Sequence, residues 1–237
     1  MREVFIGREN FARLVKRWAE RHRVYVPATF AIMNEPQTPD YVLVGDEVPD
    51  TMELRGAAVA TTPKTFLFYP REVVAHYPSS DDEAEVDAPS TVLVGPRGCD
   101  LRGMEKFDKV YWSTKHFTEE YDDPFYIEKR KNTYIVSIDC TAPKDTCFCT
   151  AVGGKPYPEG GYDLNLAPVE GGYVATVGSE KGDELLAGSD DLVNPVNETQ
   201  ARERDRNRSS MTEAVTRQNA EFFDEIREPY DQQDLES

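Results

Sequence analysis

Ser90-Thr-Val-Leu-Val-Gly-Pro-Arg-Gly-Cys99 and Asn132-Thr-Tyr-Ile-Val-Ser-Ile-Asp-Cys140 decide the fold of this chain. Each opens with an apolar, β-branched run that is too short for a helix and reads as a strand buried on both faces. Each then delivers a cysteine at its carboxyl end. The first does so through the turn Pro96-Arg97-Gly98, after which Leu101 to Phe107 begins a short helix. Open α/β sheets carry their sites just beyond the carboxyl ends of their strands, so the two segments predict one such sheet with a site at its rim.

The flanks extend the pattern. Phe11, Leu14, Val15 and Trp18 recur at helical spacing and predict a helix over 8–21 whose apolar stripe is core. Met1-Arg-Glu-Val-Phe runs straight into it with no secretory leader. Arg23 to Ala28 and Asp40 to Val44 read as strands. Pro63 to Glu72 is aromatic and proline-bounded, a strand or extended loop. Ser79 to Pro89 is acidic and lacks large apolar residues, so a surface loop is expected there. Strands follow near Asp163–Leu166 and Tyr173–Val177, and Ser179 is placed to cap a helix reaching Leu186. From Asn197 the chain turns strongly polar, as for an exposed or partner-packed helix and a frayed tail. The expectation is an α/β fold: a mixed sheet with flanking helices, cysteine-bearing loops at strand ends and an exposed C-terminal helix. It divides into an α/β domain over residues 1–190 and a polar, partner-docking helix and tail over 191–237.

Composition bounds the function. The 237 residues carry 44 acidic against 27 basic side chains, a formal net charge of −17. Such a surface repels phosphate backbones, which argues against nucleic-acid binding. No apolar run approaches the roughly 20 residues of a membrane span, so a soluble, cytoplasmic protein without membrane insertion is expected. In that compartment cysteines are free, metal-binding or catalytic more often than paired in disulfides.

The chain has four cysteines: Cys99, Cys140, Cys147 and Cys149. Soft thiolates select zinc, copper(I) or iron–sulfur clusters, and a four-thiolate set suits either tetrahedral zinc or the corners of a cubane. Cys147-Phe-Cys149 matches neither the paired C-x2-C knuckles of zinc ribbons nor the C-x2-C-x2-C run of bacterial ferredoxins. Spacing by itself leaves a metal site and unliganded buried thiols both open. A redox pair of Cys147 and Cys149 is disfavoured, because one intervening residue strains the disulfide ring. Around the cysteines, Gly95, Gly98, Gly153 and Gly154 let backbone N–H groups approach sulfur closely. Arg97 is placed either to offset a cluster's negative charge or to make a surface salt bridge. Asp100 is placed to cap the following helix, and Phe148 to screen a cluster from water. His22, His76 and His116 are scattered and read as surface residues. No G-x-G-x-x-G follows a strand and no Walker loop occurs, so the chain is not expected to bind dinucleotide or nucleoside triphosphate by itself.

A series of motifs in fixed order carries a resemblance. Val94-Gly-Pro-Arg-Gly-Cys-Asp-Leu-Arg-Gly103 is followed by Asp123-Pro-Phe-Tyr-Ile-Glu-Lys-Arg-Lys-Asn-Thr133, by Cys140, and by Cys147-Phe-Cys-Thr-Ala-Val-Gly-Gly154. Gly161-Tyr-Asp-Leu164 and Gly178-Ser-Glu-Lys-Gly-Asp-Glu-Leu-Leu186 complete it. Over roughly residues 8–190 the chain resembles the beta subunit of cytoplasmic sulfhydrogenases and the A subunit of anaerobic sulfite reductase, the Cys-Phe-Cys-Thr element being the most specific part. The resemblance implies an iron–sulfur electron-transfer subunit. It would work between a flavin-binding NAD(P)H reductase subunit and a catalytic or ferredoxin-like subunit, of hydrogenase, sulfite or sulfur reductase, or heterodisulfide reductase type. Family members usually continue into a ferredoxin-like domain with two C-x2-C-x2-C-x3-C-P runs. This sequence ends at Asp234-Leu-Glu-Ser237, about where that domain would begin. The four cysteines present are then those of the family's N-terminal domain. They are easiest to explain as one set holding a [4Fe–4S] cluster, with a zinc-stapled structural adaptor as the alternative.

Overall fold

The computed structural model describes residues 2–29, 39–56, 59–73, 86–116 and 122–231, with side chains through residue 220 except at residue 116. His76 and most of the expected Ser79–Pro89 loop lie outside the described residues. The fold is α/β. Seven strands form one mixed sheet in the order β1-β7-β6-β5-β4-β2-β3. They are β1 Glu3–Gly7, β2 Arg23–Ala28, β3 Asp40–Leu43, β4 Thr91–Val94, β5 Thr133–Ile138, β6 Leu164–Val169 and β7 Gly172–Val177. The two deciding segments are the neighbours β4 and β5, paired in parallel with Val94 beside Val136. Parallel partners β2 and β6 flank them, and β1, β7 and β3 add antiparallel pairs at the edges.

Helices cover both faces, which is why the central strands are apolar throughout. On one face α1 (Arg8–Ala19) and α5 (Glu180–Leu186) lay Phe11, Leu14, Val15, Trp18, Leu185 and Leu186 over Val92, Val94, Val136 and Ile138. Trp18 Nε1 donates to the Leu185 carbonyl at 2.7 Å, which ties the two helices together. On the other face α2 (Gly98–Tyr111) and α4 (Pro124–Lys131) bury Leu101, Met104, Tyr126 and Ile127 against Leu93 and Ile135. Each fully buried aliphatic side chain contributes about 1.5–3 kcal/mol. The short helix α3 (Ser113–His116) follows α2.

Three stretches differ from the sequence-based reading. Glu3–Gly7 is an edge strand with Val4 and Ile6 turned inward, where a direct run into the helix was expected. Its period-2 alternation is only five residues long and is easily absorbed into the helix that follows. Pro63–Phe66 is a single 3-10 turn, begun by Pro63 after Thr62, whose side chain accepts from the Lys64 N–H. Its aromatics act as packing, with Phe66 against Tyr25 and Tyr41 and Phe68 against Phe107, Tyr111 and Tyr126. Helix α4 had no counterpart in the element reading. Its start is nevertheless written in the sequence, since the Asp123 carboxylate accepts from the Phe125 and Tyr126 N–H groups and Pro124 occupies the first helical position.

The C-terminal helix α6 spans Glu198–Asp231. It packs against β6, β7 and the 3-10 turn Cys149–Val152. Most of its described side chains are exposed or half-buried, and Met211 and Val215 are buried. Among the described residues no helix is long and apolar enough to cross a membrane.

Candidate metal centre

Because β4 and β5 are adjacent and parallel, their carboxyl ends stand side by side. Gly95 N–H donates to the Val136 carbonyl at 2.8 Å and Ile138 N–H to the Pro96 carbonyl at 3.0 Å, which holds the two exits together. The chain leaves β4 through Gly95 at φ +111°, where an added Cβ would lie 2.5 Å from Pro27 Cγ. Only glycine suits that position. Arg97 is the N-cap of α2, and its N–H is received by the Asp100 carboxylate at 2.8 Å, the capping role expected of Asp100. Cys99 therefore sits in the first turn of α2. Gly98 lets that turn press against the loop below, since a Cβ there would meet Lys155 O and Tyr157 C and O at 3.0 Å.

Cys140 lies two residues beyond β5 and donates its N–H to the Pro156 carbonyl at 2.8 Å. Cys147 and Cys149 follow in a loop closed by the Cys149–Val152 turn and Gly153 in the left-handed region at φ +70°. Lys144 N–H donates to Cys147 Sγ at 3.3 Å, a backbone N–H···S contact. Helix α6 straps the same loop. Asn219 Nδ2 donates to the Cys147 carbonyl at 2.7 Å, and Gln218 Nε2 to the Lys144 carbonyl at 2.8 Å and the Asp145 carbonyl at 3.1 Å.

The result is one cavity of about 470 Å³ with Cys99, Cys140, Cys147 and Cys149 all on its walls. Met211 and Val215 close its inner side, and Arg102, Phe148, Val152 and Lys155 also line it. Phe148 is 56 % exposed, so its ring forms part of the lip and leaves more than half its surface in water. Gly98 lines the cavity as well, and Gly153 stands in the adjoining groove. All four thiols are free. Among the described residues no three His, Cys, Asp or Glu side chains are grouped to hold a single metal ion.

The thiols influence one another. Burial, opposed by Arg97 and reinforced by the other three cysteines, pushes Cys140 up to about 12. Cys99 opens onto the cavity, yet the crowded walls push its thiol up to about 11, with Asp100 adding to the effect. Cys149 is raised by burial and then by Cys147, against a lowering contribution from Arg102. Thiols held above their ordinary range are poor nucleophiles at neutral pH, so reactive-thiol chemistry is not favoured at Cys99, Cys140 or Cys149. A bound metal reverses this by taking the place of the protons.

Arg97 is not at the surface, which removes the surface salt bridge as its role. It is 1 % exposed and lies behind the cysteine wall. Its guanidinium donates to the carbonyls of Asp139 at 3.1 Å, Leu54 at 3.3 Å and Ile138 at 3.5 Å, and its buried Nε has no partner. Among the described residues no carboxylate forms an ion pair with it. The roles of Arg102, Lys155, Met211, Val215, Gln218 and Asn219 were not read from the sequence. For Met211 and Val215 a signal existed: two apolar residues four apart in an otherwise polar helix mark a buried edge.

No family model matches the chain. Sulfhydrogenase 2 subunit beta of Pyrococcus furiosus is 30 % identical to it over 203 residues, covering 85 % of this chain and 56 % of the relative. The chain thus spans little more than half the length of that relative. Over the matched residues this similarity supports a sulfhydrogenase-beta-like family for the chain.

Proposed function

We propose that this chain holds one [4Fe–4S] cluster on Cys99, Cys140, Cys147 and Cys149 and serves as an electron-transfer subunit of a multi-subunit oxidoreductase. The observation that carries the proposal is the convergence of all four thiols, from two strand ends, on one cavity. When bound, such a cluster accepts and releases single electrons, at a potential set by charge, hydrogen bonds to sulfur and exposure. The chain's residues would divide the remaining work. The four thiolates grip, and the Lys144 N–H donates to Cys147 Sγ. Met211 and Val215 exclude water from the inner wall, and Arg97 and Arg102 place positive charge beside Cys140 and Cys149.

The donor set suits the group. Four thiolates on one zinc ion at 2.3 Å would stand about 3.8 Å apart. A cubane instead spreads its ligands over four corners. All four thiols line a cavity of about 470 Å³, which leaves space for the larger core. The zinc-stapled adaptor is the competing reading, and metal content separates the two.

In this reading the partners are a flavin-binding NAD(P)H reductase subunit and a catalytic or ferredoxin-like subunit, and the residues work in the cytoplasm. The α/β body over 1–190 holds the cluster, and residues 191–237 serve both docking and the strapping of the cysteine loop. These assignments rest on the resemblance and on kinship with a sulfhydrogenase subunit. Anaerobic purification tests the core of it. A brown chain with broad absorbance near 400 nm that dithionite bleaches is expected, and Cys140→Ser is expected to abolish the colour. A colourless chain with stoichiometric zinc would falsify the reading.

A further inference from the structure

We propose that Arg208, on helix α6, is a positioning residue of the cysteine centre: it clamps the segment that ends in Cys140 to the segment that supports the turn of Cys99. The centre itself rests on the function proposed above. The clamp rests on contacts that are the same whichever metal the thiols take.

Asp139 stands immediately before Cys140 and is bonded through each of its polar groups. Its N–H donates to the Leu166 carbonyl at 3.0 Å, and its carbonyl accepts from Arg97 at 3.1 Å. Its carboxylate, on a residue only 5 % exposed, accepts from Asn165 Nδ2 at 2.9 Å and from Arg208 Nε at 2.6 Å. Asn165 is held in turn by Ser137, whose hydroxyl donates to the Asn165 side-chain oxygen at 2.8 Å, and both residues are buried. A buried carboxylate is costly unless a charged group answers it. Among the described residues Arg208 is the one cation whose side chain pairs with it. A buried polar network satisfied to this degree fixes a single arrangement.

The same guanidinium lies over the ring of Tyr157, 4.6 Å from its centroid. Residues 155–157 lie between the two thiol-bearing segments. The Pro156 carbonyl accepts the Cys140 N–H at 2.8 Å, and the turn at Gly98 that leads to Cys99 presses on the Lys155 and Tyr157 backbone. Arg208 thus bears both on the exit of β5 and on the support of the Cys99 turn. A planar guanidinium can fork onto a carboxylate and stack on an aromatic face at once, which an ammonium cannot do. One turn further along α6, Met211 closes the inner side of the cavity. Arg204, one turn earlier, pairs instead with Glu3 of β1 and with Asp205, so it ties the same helix to a different strand. The clamp makes α6 part of the centre, although the sequence there is that of a polar appendage.

Three variants of the full chain, purified anaerobically beside the native chain, test the clamp: Arg208→Met, Arg208→Lys and the control Arg204→Met. Arg208→Met leaves a buried carboxylate without its cation and can cost the fold. Arg208→Lys keeps the charge beside Asp139, and with it the fold, but loses the planar group over Tyr157. Each is assayed for the rate of metal release to a chelator and for the visible circular dichroism of the bound centre, or of cobalt(II) put in its place if the native metal is zinc. Arg208→Met is expected to release metal about 10–100-fold faster with altered bands, and Arg208→Lys to change in the same direction by less. Arg204→Met should keep the native rate and the native bands, whatever its melting temperature. Native rate and bands in Arg208→Lys overturn the clamp. So does a control that changes as much as the Arg208 variants, because α6 would then act by anchoring alone. Metal content of the native chain separates the clamp from the function. Zinc that the Arg208 variants release faster would sink the electron-transfer reading and keep the clamp. Iron and sulfide released alike from every variant would do the reverse, and a native chain that binds no metal would overturn both.

Discussion

A guanidinium buried to 1 % exposure costs several kcal/mol unless other groups answer its charge. Three backbone carbonyls receive Arg97, and the nearby Asp100 carboxyl is itself driven up mainly by burial, against the pull of Arg97. Its charge also acts on Cys140, the thiol whose rise Arg97 opposes. Arg97→Met should therefore hurt the metal-loaded chain more than the metal-free one, by about 1–3 kcal/mol. Melting with and without chelator reads that difference, and equal losses in both states would make Arg97 purely structural. Gly98 matters for space. Gly98→Ala sets a methyl against the Lys155–Tyr157 backbone at 3.0 Å, so the turn bearing Cys99 must shift from the loop bearing the other thiols. A loss of about 1–3 kcal/mol and defective metal loading are expected, read by melting and metal analysis together. The four cysteines were legible in the sequence, and so was the need for glycine at position 98, though the close approach there is to the Lys155–Tyr157 backbone and not to sulfur. The burial of Arg97 was not, because it is set by where Leu54 and the β5 exit meet.

At the scale of elements, reading and structure agree where a segment's own pattern decides. Strand β2 is the Arg23–Ala28 run read from sequence, and Ser179 caps α5 by accepting the Gly182 N–H at 3.3 Å. They part where neighbours decide. The Pro63–Phe66 turn has aromatic, strand-like composition, but its Phe66 packs on Tyr25 and Tyr41, and Phe68 just after it packs on α2 and α4. Helix α6 reads as an exposed or partner-packed polar helix, and most of its described side chains are exposed or half-buried. Its contribution to the site comes from Met211, Val215, Gln218 and Asn219, which only the tertiary arrangement brings over the Cys147 loop. Asn219→Ala removes a 2.7 Å bond to the Cys147 carbonyl and should lower stability by only about 1 kcal/mol. It should still speed metal loss to a chelator severalfold, because the loop loses its strap. A chelation rate equal to that of the native chain would show that α6 does not govern the loop. A second expectation concerns the start of β2 and β4. His22 shares a hydrogen bond of 2.7 Å with Ser90, and burial first, then Arg21, hold its imidazole below the ordinary 6.5. The folded chain then binds fewer protons than the unfolded one in this window, so this contribution to stability is present above pH 6.5 and lost as pH falls through the lower folded value. His22→Gln should flatten the melting temperature between pH 5 and 7.5, and an unaltered slope would assign it to other groups.

For the whole molecule, charge is unevenly placed: in a chain of net −17, the described charged residues that line the cysteine cavity are Arg102, Lys144 and Lys155. Self-repulsion of the acidic surface should relax with salt, so the melting temperature is expected to rise between roughly 0.01 and 0.5 M sodium chloride. A fall would mean that surface ion pairs dominate. The α/β class and the rim position of the cysteines followed from two apolar strands each ending in a thiol. The meeting of those three side chains did not, because they come from α2 and from the loop that follows β5. The relative extends well beyond the part this chain matches, and the larger assembly is a matter for the proposed partners.

Quantifying metal and acid-labile sulfide on the anaerobically purified chain tests the central claim most directly. About four irons and four sulfides per chain are predicted, falling to near zero when Cys99 or Cys140 is replaced by serine. One zinc without sulfide, or iron that persists after either substitution, would contradict it.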